Sequence, residues 1–204
     1  MYKKPIIVFE GIEGSGKSLH INNVASYLKK KGKKFIKIRE PGGNQNSEKI
    51  RKLILNNKSN FDKVTDLLLY FAARNENIKN LIIKNVGKKI ILIDRFVDST
   101  FAYQHYGMGI DINFINEISN FLLKNIKVNF TFLNLVNEKN MKIRLKQRKK
   151  LNRYDKFEMS FYKKVQSGFI KIASKNKKKY LKINSNIDIG INKEIIIKKI
   201  NKLI

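Results

Sequence analysis

The chain has 204 residues, of which 42% are hydrophobic, with 44 Lys and Arg against 16 Asp and Glu, a formal charge of +28 at pH 7. That length and apolar share can bury the core of one domain, or at most two, and exclude a disordered chain despite the charge. The lack of cysteine excludes disulfides, thiolate metal sites and cysteine nucleophiles, and no apolar run approaches the roughly 18 residues of a membrane span.

Pro5 to Glu10 (PIIVFE) is a short apolar run of the kind that forms a strand buried on both faces. A glycine-rich turn follows, then a helix from about Lys17 to Lys31, stopped by Gly32. Phe35 to Arg39 reads as a second strand, closed by the loop signal Pro41-Gly42-Gly43. A helix near Ser47 to Leu55 precedes a long one from about Lys63 to Val86, with Asp62 as its cap and Gly87 as its stop. Lys89 to Asp94 is the third strand. Helices around Ser99 to Gln104 and Ile112 to Leu123 lead to a strand at Asn129 to Leu135. The remainder reads as a helix from Glu138, a basic polar stretch, a helix through Ser174, the strand Tyr180 to Asn184 and a terminal helix. Strands alternating with helices predict βαβ units around a parallel sheet. With no repeat, linker or break in composition, residues 1–204 are expected to form one domain.

Gly11-Ile12-Glu13-Gly14-Ser15-Gly16-Lys17-Ser18 fits G-x-x-x-x-G-K-[ST], and it has the strand before and the helix after that the pattern requires. Small residues there let successive backbone N–H groups face phosphate oxygens, and the helix N-terminus adds a positive dipole end. Lys17 can reach the β- and γ-phosphates, and the Ser18 hydroxyl can ligate Mg²⁺. Asp94 ends the third strand, where ligands gather in an open parallel sheet and where a carboxylate can hold a metal-bound water. An ordinary strand-end cap is its alternative reading. These residues define an ATP- or GTP-using protein without identifying the acceptor.

The rest of the chain resembles the bacterial thymidylate (dTMP) kinases along nearly its whole length. Phe9 to Ser18 is similar to that family's first motif, Arg39-Glu40-Pro41-Gly42-Gly43 to its second, and Tyr70-Phe71-Ala72-Ala73-Arg74 to its thymidine-site helix. Asp94-Arg95-Phe96-Val97-Asp98-Ser99-Thr100-Phe101-Ala102-Tyr103-Gln104 resembles D-R-[YF]-x-D-S-x-x-A-Y-Q, the family's most diagnostic run. The resemblance implies a three-layer α/β/α P-loop fold with a five-stranded parallel sheet. It also implies transfer from ATP to dTMP with Mg²⁺, as a step in dTTP synthesis.

By the same resemblance, Arg95 holds the acceptor phosphate, Tyr70 stacks on thymine, Arg74 donates to a base carbonyl, and Thr100 and Gln104 meet the base edge. Tyr103 packs on the deoxyribose and disfavours a ribose. Glu10 takes the role of the acid that binds the 3′-hydroxyl and shapes the phosphate site. Glu40 precedes Pro41 in a bond expected to be cis, and Arg51 helps hold the acceptor nucleotide. Residues at about 144–156 resemble a mobile lid, with Arg153 the arginine expected at the transferring phosphate and Arg148 a second candidate. Lys17, Arg95, Arg153 and Glu10 are thus the expected catalytic set, with Ser18 and Asp94 on the metal. The family also implies a homodimer.

Seven of the 44 basic residues are Arg and the other 37 are Lys, spread over the chain beside many Asn and Ile. Lysine is a flexible point charge suited to solvated surfaces, whereas arginine is the usual phosphate clamp. The charge therefore reads as compositional drift, and nucleic acid is not expected as a partner. A P-loop ATPase using that charge on nucleic acid, and a kinase for another nucleotide, are the competing readings. The start of the chain has no signal-peptide core, which implies a soluble cytoplasmic protein.

Overall fold

The computed structural model describes residues 3–204, in which five strands form one parallel sheet. They are β1 (Ile6–Glu10), β2 (Phe35–Arg39), β3 (Ile90–Asp94), β4 (Phe130–Leu135) and β5 (Tyr180–Asn184), in the order β2-β3-β1-β4-β5. The helices are α1 (Lys17–Lys30), α2 (Gln45–Leu55), α3 (Lys63–Asn77), α4 (Ile83–Asn85), α5 (Val97–Thr100), α6 (Ile112–Leu123), α7 (Glu138–Lys146), α8 (Met159–Lys175) and α9 (Ile189–Asn201). None of them is long and apolar enough to cross a membrane.

β1 is buried along its whole length, as a continuous apolar run in the middle of a parallel sheet must be. Its pleat sorts the layers. Ile7 and Phe9, with Ile90, Leu92 and Phe132, meet Ile21, Val24 and Leu28 of α1 and Ile196 and Ile200 of α9. Ile6 and Val8, with Ile91 and Ile93, face the other way, onto Ile78, Ile82 and Phe96. The result is the expected three-layer α/β/α arrangement. Phe132 is wholly buried, so truncating it to alanine costs about 3–5 kcal/mol.

Two helices differ from the sequence expectation. The run from Lys63 is not one helix to Val86, because it widens into a π-helical turn at Ile78–Ile82 before α4. The predicted Ser99–Gln104 helix is α5 followed by a π-helical stretch, Phe101–Gly107. The wider turn is a choice of backbone partner, as in Met108 N donating to Tyr103 O at 2.9 Å, and apolar spacing does not register it. Packing explains the second case. The stretch lies against α8, where a Cβ on Gly168 would fall 2.6 Å from Tyr106 Cδ2, so only glycine permits the approach.

Candidate active site

The loop between β1 and α1 is shaped by its glycines. Gly11 has φ 139°, and a Cβ there would lie 2.3 Å from Asn134 O on β4, so the turn is closed to any other residue. Gly16, at φ 82°, starts α1. Within the loop, Lys17 Nζ donates to Ile12 O at 2.7 Å and to Ser15 Oγ at 3.2 Å. Burial, and then repulsion from Arg95, push the Lys17 pKa down to about 7. From outside, Arg144 Nη1 donates to Gly14 O (2.8 Å) and its Nη2 to Ser185 O (2.6 Å), tying the loop to α7 and to the end of β5.

Ser18 Oγ donates to Asp94 Oδ2 at 2.9 Å, so the two oxygen ligands expected for a metal meet at the carboxyl end of β3. The next residue, Arg95, has φ 66°, a conformation that costs a non-glycine residue roughly 1–3 kcal/mol and persists only when its surroundings enforce it. They do. Its N–H donates to Phe9 O, Nη1 to Gly11 O at 2.8 Å and Nη2 to Glu13 Oε1 at 2.7 Å, and the guanidinium lies 5.1 Å from the Tyr103 ring centroid. The Tyr103 hydroxyl donates to the other oxygen of Glu13.

Beside this cluster is a cavity of about 230 Å³ whose wall joins Lys17, Ser18, Asp94 and Arg95 to Glu13, Glu40, Arg51, Tyr70, Arg74, Thr100, Tyr103 and Gln104. Arg74, on α3, is nearly fully buried. Its Nε donates to Glu40 Oε2 (2.7 Å), Nη1 to Thr100 Oγ1 (2.9 Å) and Nη2 to Phe96 O (3.1 Å). Three of its five N–H donors are therefore engaged by protein. Burial raises the Glu40 pKa, with the Arg74 charge opposing it. The Glu40–Pro41 bond is cis, and the Pro41 carbonyl accepts from Arg51 Nη1 at 2.6 Å. Tyr70 also lines the wall, and the Tyr154 ring meets it edge-on, 5.8 Å between centroids at 87°.

Two expected site residues lie elsewhere. Glu10 is fully buried beneath the cavity and absent from its wall. As the fifth residue of β1 it shares the face of Ile6 and Val8, and its oxygens accept from Phe96 N (2.8 Å), Ser99 N (3.2 Å) and Ser99 Oγ (2.6 Å). Burial, and then the charge of Asp98, push its pKa up to about 8 against those hydrogen bonds. It braces the loop that carries Arg95 and does not face the cavity. Arg153 is likewise turned away. Its Nε donates to Ile54 O at 3.0 Å and its Nη2 to Asp66, because a buried carboxylate demands donors. The lid arginine in the cavity wall is Arg148, ion-paired to Asp155.

Sequence reasoning assigned no side-chain role to Glu13, Arg144 or Tyr154. The strand alternation carried the signal for the first: counting by twos from Ile6 puts Glu10 on the buried face of Ile6 and Val8 and leaves Glu13 as the acid of the loop.

A parallel sheet in this order, a G-x-x-x-x-G-K-[ST] loop after β1 and an arginine-rich cavity beside it define a P-loop nucleoside monophosphate kinase fold. The family described as thymidylate kinase matches residues 9–196, and the chain belongs to that family. It is 39% identical over 186 residues to a thymidylate kinase of Sulfurihydrogenibium sp. (strain YO3AOP1), covering 90% of each chain. It is 34% identical over 200 residues to one from Wolbachia sp. subsp. Brugia malayi (strain TRS), covering 97% of this chain and 94% of the other. The crystal structure of thymidylate kinase from Ehrlichia chaffeensis superposes with a TM-score of 0.80 at 31% identity, covering 97% of this chain and 98% of that one.

Proposed function

We propose that this protein transfers the γ-phosphoryl group of ATP to dTMP, giving ADP and dTDP, a step toward dTTP. The observation that carries the assignment is the single cavity wall in which Lys17 and Ser18 of the phosphate loop meet Arg95, Tyr70 and Arg74. In that arrangement Tyr70 offers a face to the base, and Arg74, Thr100 and Gln104 line its edge. Glu13, held beside Tyr103, is the acid able to accept a sugar hydroxyl, the role expected of Glu10. The Tyr103 ring crowds the position of a 2′-hydroxyl. Arg51 and Arg95 bind the acceptor phosphate, and Lys17 with the loop amides binds the donor.

The transfer is direct and in line, so catalysis consists of positioning and charge neutralisation. Arg95 supplies a fixed positive charge between the two phosphates, and Arg148 supplies another from the lid at residues 144–156. Ser18 and Asp94 suit Mg²⁺, as hard oxygen donors 2.9 Å apart. No group of three or more His, Asp or Glu side chains among the described residues could cage a metal alone, so phosphate oxygens and water would complete its shell. When bound, the ion neutralises phosphate charge.

We take the chain to work in the cytoplasm as one domain and as a homodimer. Exposed Leu68 on α3 and Phe114 and Phe121 on the adjoining α6 favour self-association, which sedimentation would test. The decisive assay is ADP release with dTMP, dUMP, dCMP, AMP and dAMP as acceptors. A kcat/KM for dTMP at least roughly tenfold above the others is expected. Equal use of another monophosphate, or DNA-stimulated ATP hydrolysis without transfer, would overturn the assignment.

A further inference from the structure

Asp66 lies in the first turn of α3, only 2% exposed. It stands one helical turn before Tyr70, on the same side of the helix. Its partners come from a distant part of the chain: Arg153 Nη2 donates to one oxygen and the Tyr154 hydroxyl to the other. Both donors belong to the short 3₁₀ turn Arg153–Lys156 of the lid segment. A buried carboxylate with two donors is held firmly, because losing either leaves charge uncompensated in a poor solvent.

That turn connects in two directions. Toward the acceptor pocket, the Tyr154 ring lies edge-on to Tyr70 and 6.1 Å from Tyr103. Toward the phosphates, Asp155 accepts from Asn152 N at 3.0 Å and pairs with Arg148, which lines the cavity beside Lys17 and Asp94. Arg153 Nε, on Ile54 O, ties the same turn to α2. The lid is therefore rooted on the helix that carries the base-stacking tyrosine.

We propose that Asp66 is a positioning residue that couples occupancy of the acceptor-base pocket to placement of Arg148 over the phosphates. It touches neither nucleotide. A base seated on Tyr70 restricts that ring, the restriction passes to Tyr154, and the Asp66 anchor turns it into a fixed 3₁₀ turn whose Asp155 holds Arg148. With the pocket empty, the Tyr70 ring has no base to pack on and passes no restriction to Tyr154, so Arg148 is held through Asp155 alone. The device favours transfer over hydrolysis, since the lid completes the site when an acceptor is present. The inference rests on the assignment of the base to Tyr70.

Isothermal titration tests it. Adenylyl imidodiphosphate is titrated into the full-length protein with and without saturating dTMP, and the ratio of the two affinities is the coupling factor. Wild type is expected to give a factor of about 10, within the usual range for coupled sites. Asp66→Asn is expected to bring it toward one while each ligand's affinity alone stays within about twofold, with slower transfer to dTMP and unchanged ATP hydrolysis in the absence of acceptor. Arg153→Gln, which removes one donor and spares Asp66, is the second variant and carries the test if Asp66→Asn does not fold. Coupling that survives in the variants overturns the proposal, and so does a wild type with no coupling. An equal loss of both single-ligand affinities and of melting temperature marks a merely structural residue and overturns it too. Absence of dTMP binding to wild type would instead strike at the acceptor assignment.

Discussion

The Ser18 hydroxyl donates to Asp94 Oδ2 across 2.9 Å, joining the first turn of α1 to the carboxyl end of β3. Under the proposed assignment both would hold one Mg²⁺ ion, so they should behave as a unit. Ser18→Ala and Asp94→Asn are each expected to weaken Mg²⁺ dependence of the rate by about 10- to 100-fold. The double variant should cost little more than either alone. Magnesium titrations of kcat check this, and additive losses would separate the two residues.

Glu10 and Glu13 should part company under the same substitution. Glu13→Gln removes an ion pair to Arg95 in the cavity and is expected to raise the KM for dTMP roughly tenfold or more. Glu10→Gln should act on stability. The folded chain holds the Glu10 proton up to about pH 8, whereas the unfolded chain releases it near the ordinary value of 4.5. Stability contributed by this group therefore falls as pH rises through that window and is level above it. Relative to wild type, the glutamine variant should gain urea resistance steadily between pH 5 and 8. A constant difference across that range would refute the linkage.

Lys17 titrates near pH 7 in the free protein, because burial and the Arg95 charge disfavour its ammonium form. Phosphate oxygens beside it must raise that pKa. At pH 8, ATP binding should therefore take up a proton, and affinity should decline as pH rises above 7. Calorimetry in buffers of different ionisation enthalpy reads the uptake directly, and Lys17→Met should abolish it.

Arg74 and Glu40 form an ion pair whose side chains are 3% and 4% exposed. Breaking a buried pair leaves an unpaired charge, so Arg74→Met should cost about 3–5 kcal/mol of stability in denaturant titrations. Adding Glu40→Gln should restore much of that stability but none of the dTMP affinity, which separates the structural duty of this arginine from its proposed duty to the base.

Much of the fold could be read locally. β2, β5 and α6 fall on the expected residues, and the cap at Asp62 and the stop at Gly87 stand where expected. Each depends on neighbours in sequence: apolar spacing, a capping oxygen, a glycine free to take positive φ. The phosphate loop was legible for the same reason, since eight consecutive residues make it. Asn44, standing after Pro41-Gly42-Gly43, keeps a local duty as well, capping α2 through Asn46 N and Ser47 N.

The amino-acid order alone thus determined the strands, the phosphate loop, and which residue types would gather at the carboxyl edge of the sheet. Tertiary structure decided which of several similar side chains faces the cavity. Glu13 and not Glu10 does so because the pleat of β1 turns Glu10 under the Phe96 loop. Arg148 and not Arg153 does so because Asp66, buried 87 residues earlier in the chain, claims Arg153. A charged side chain settles on the partner that satisfies it, and that partner is set by packing between segments far apart in the chain.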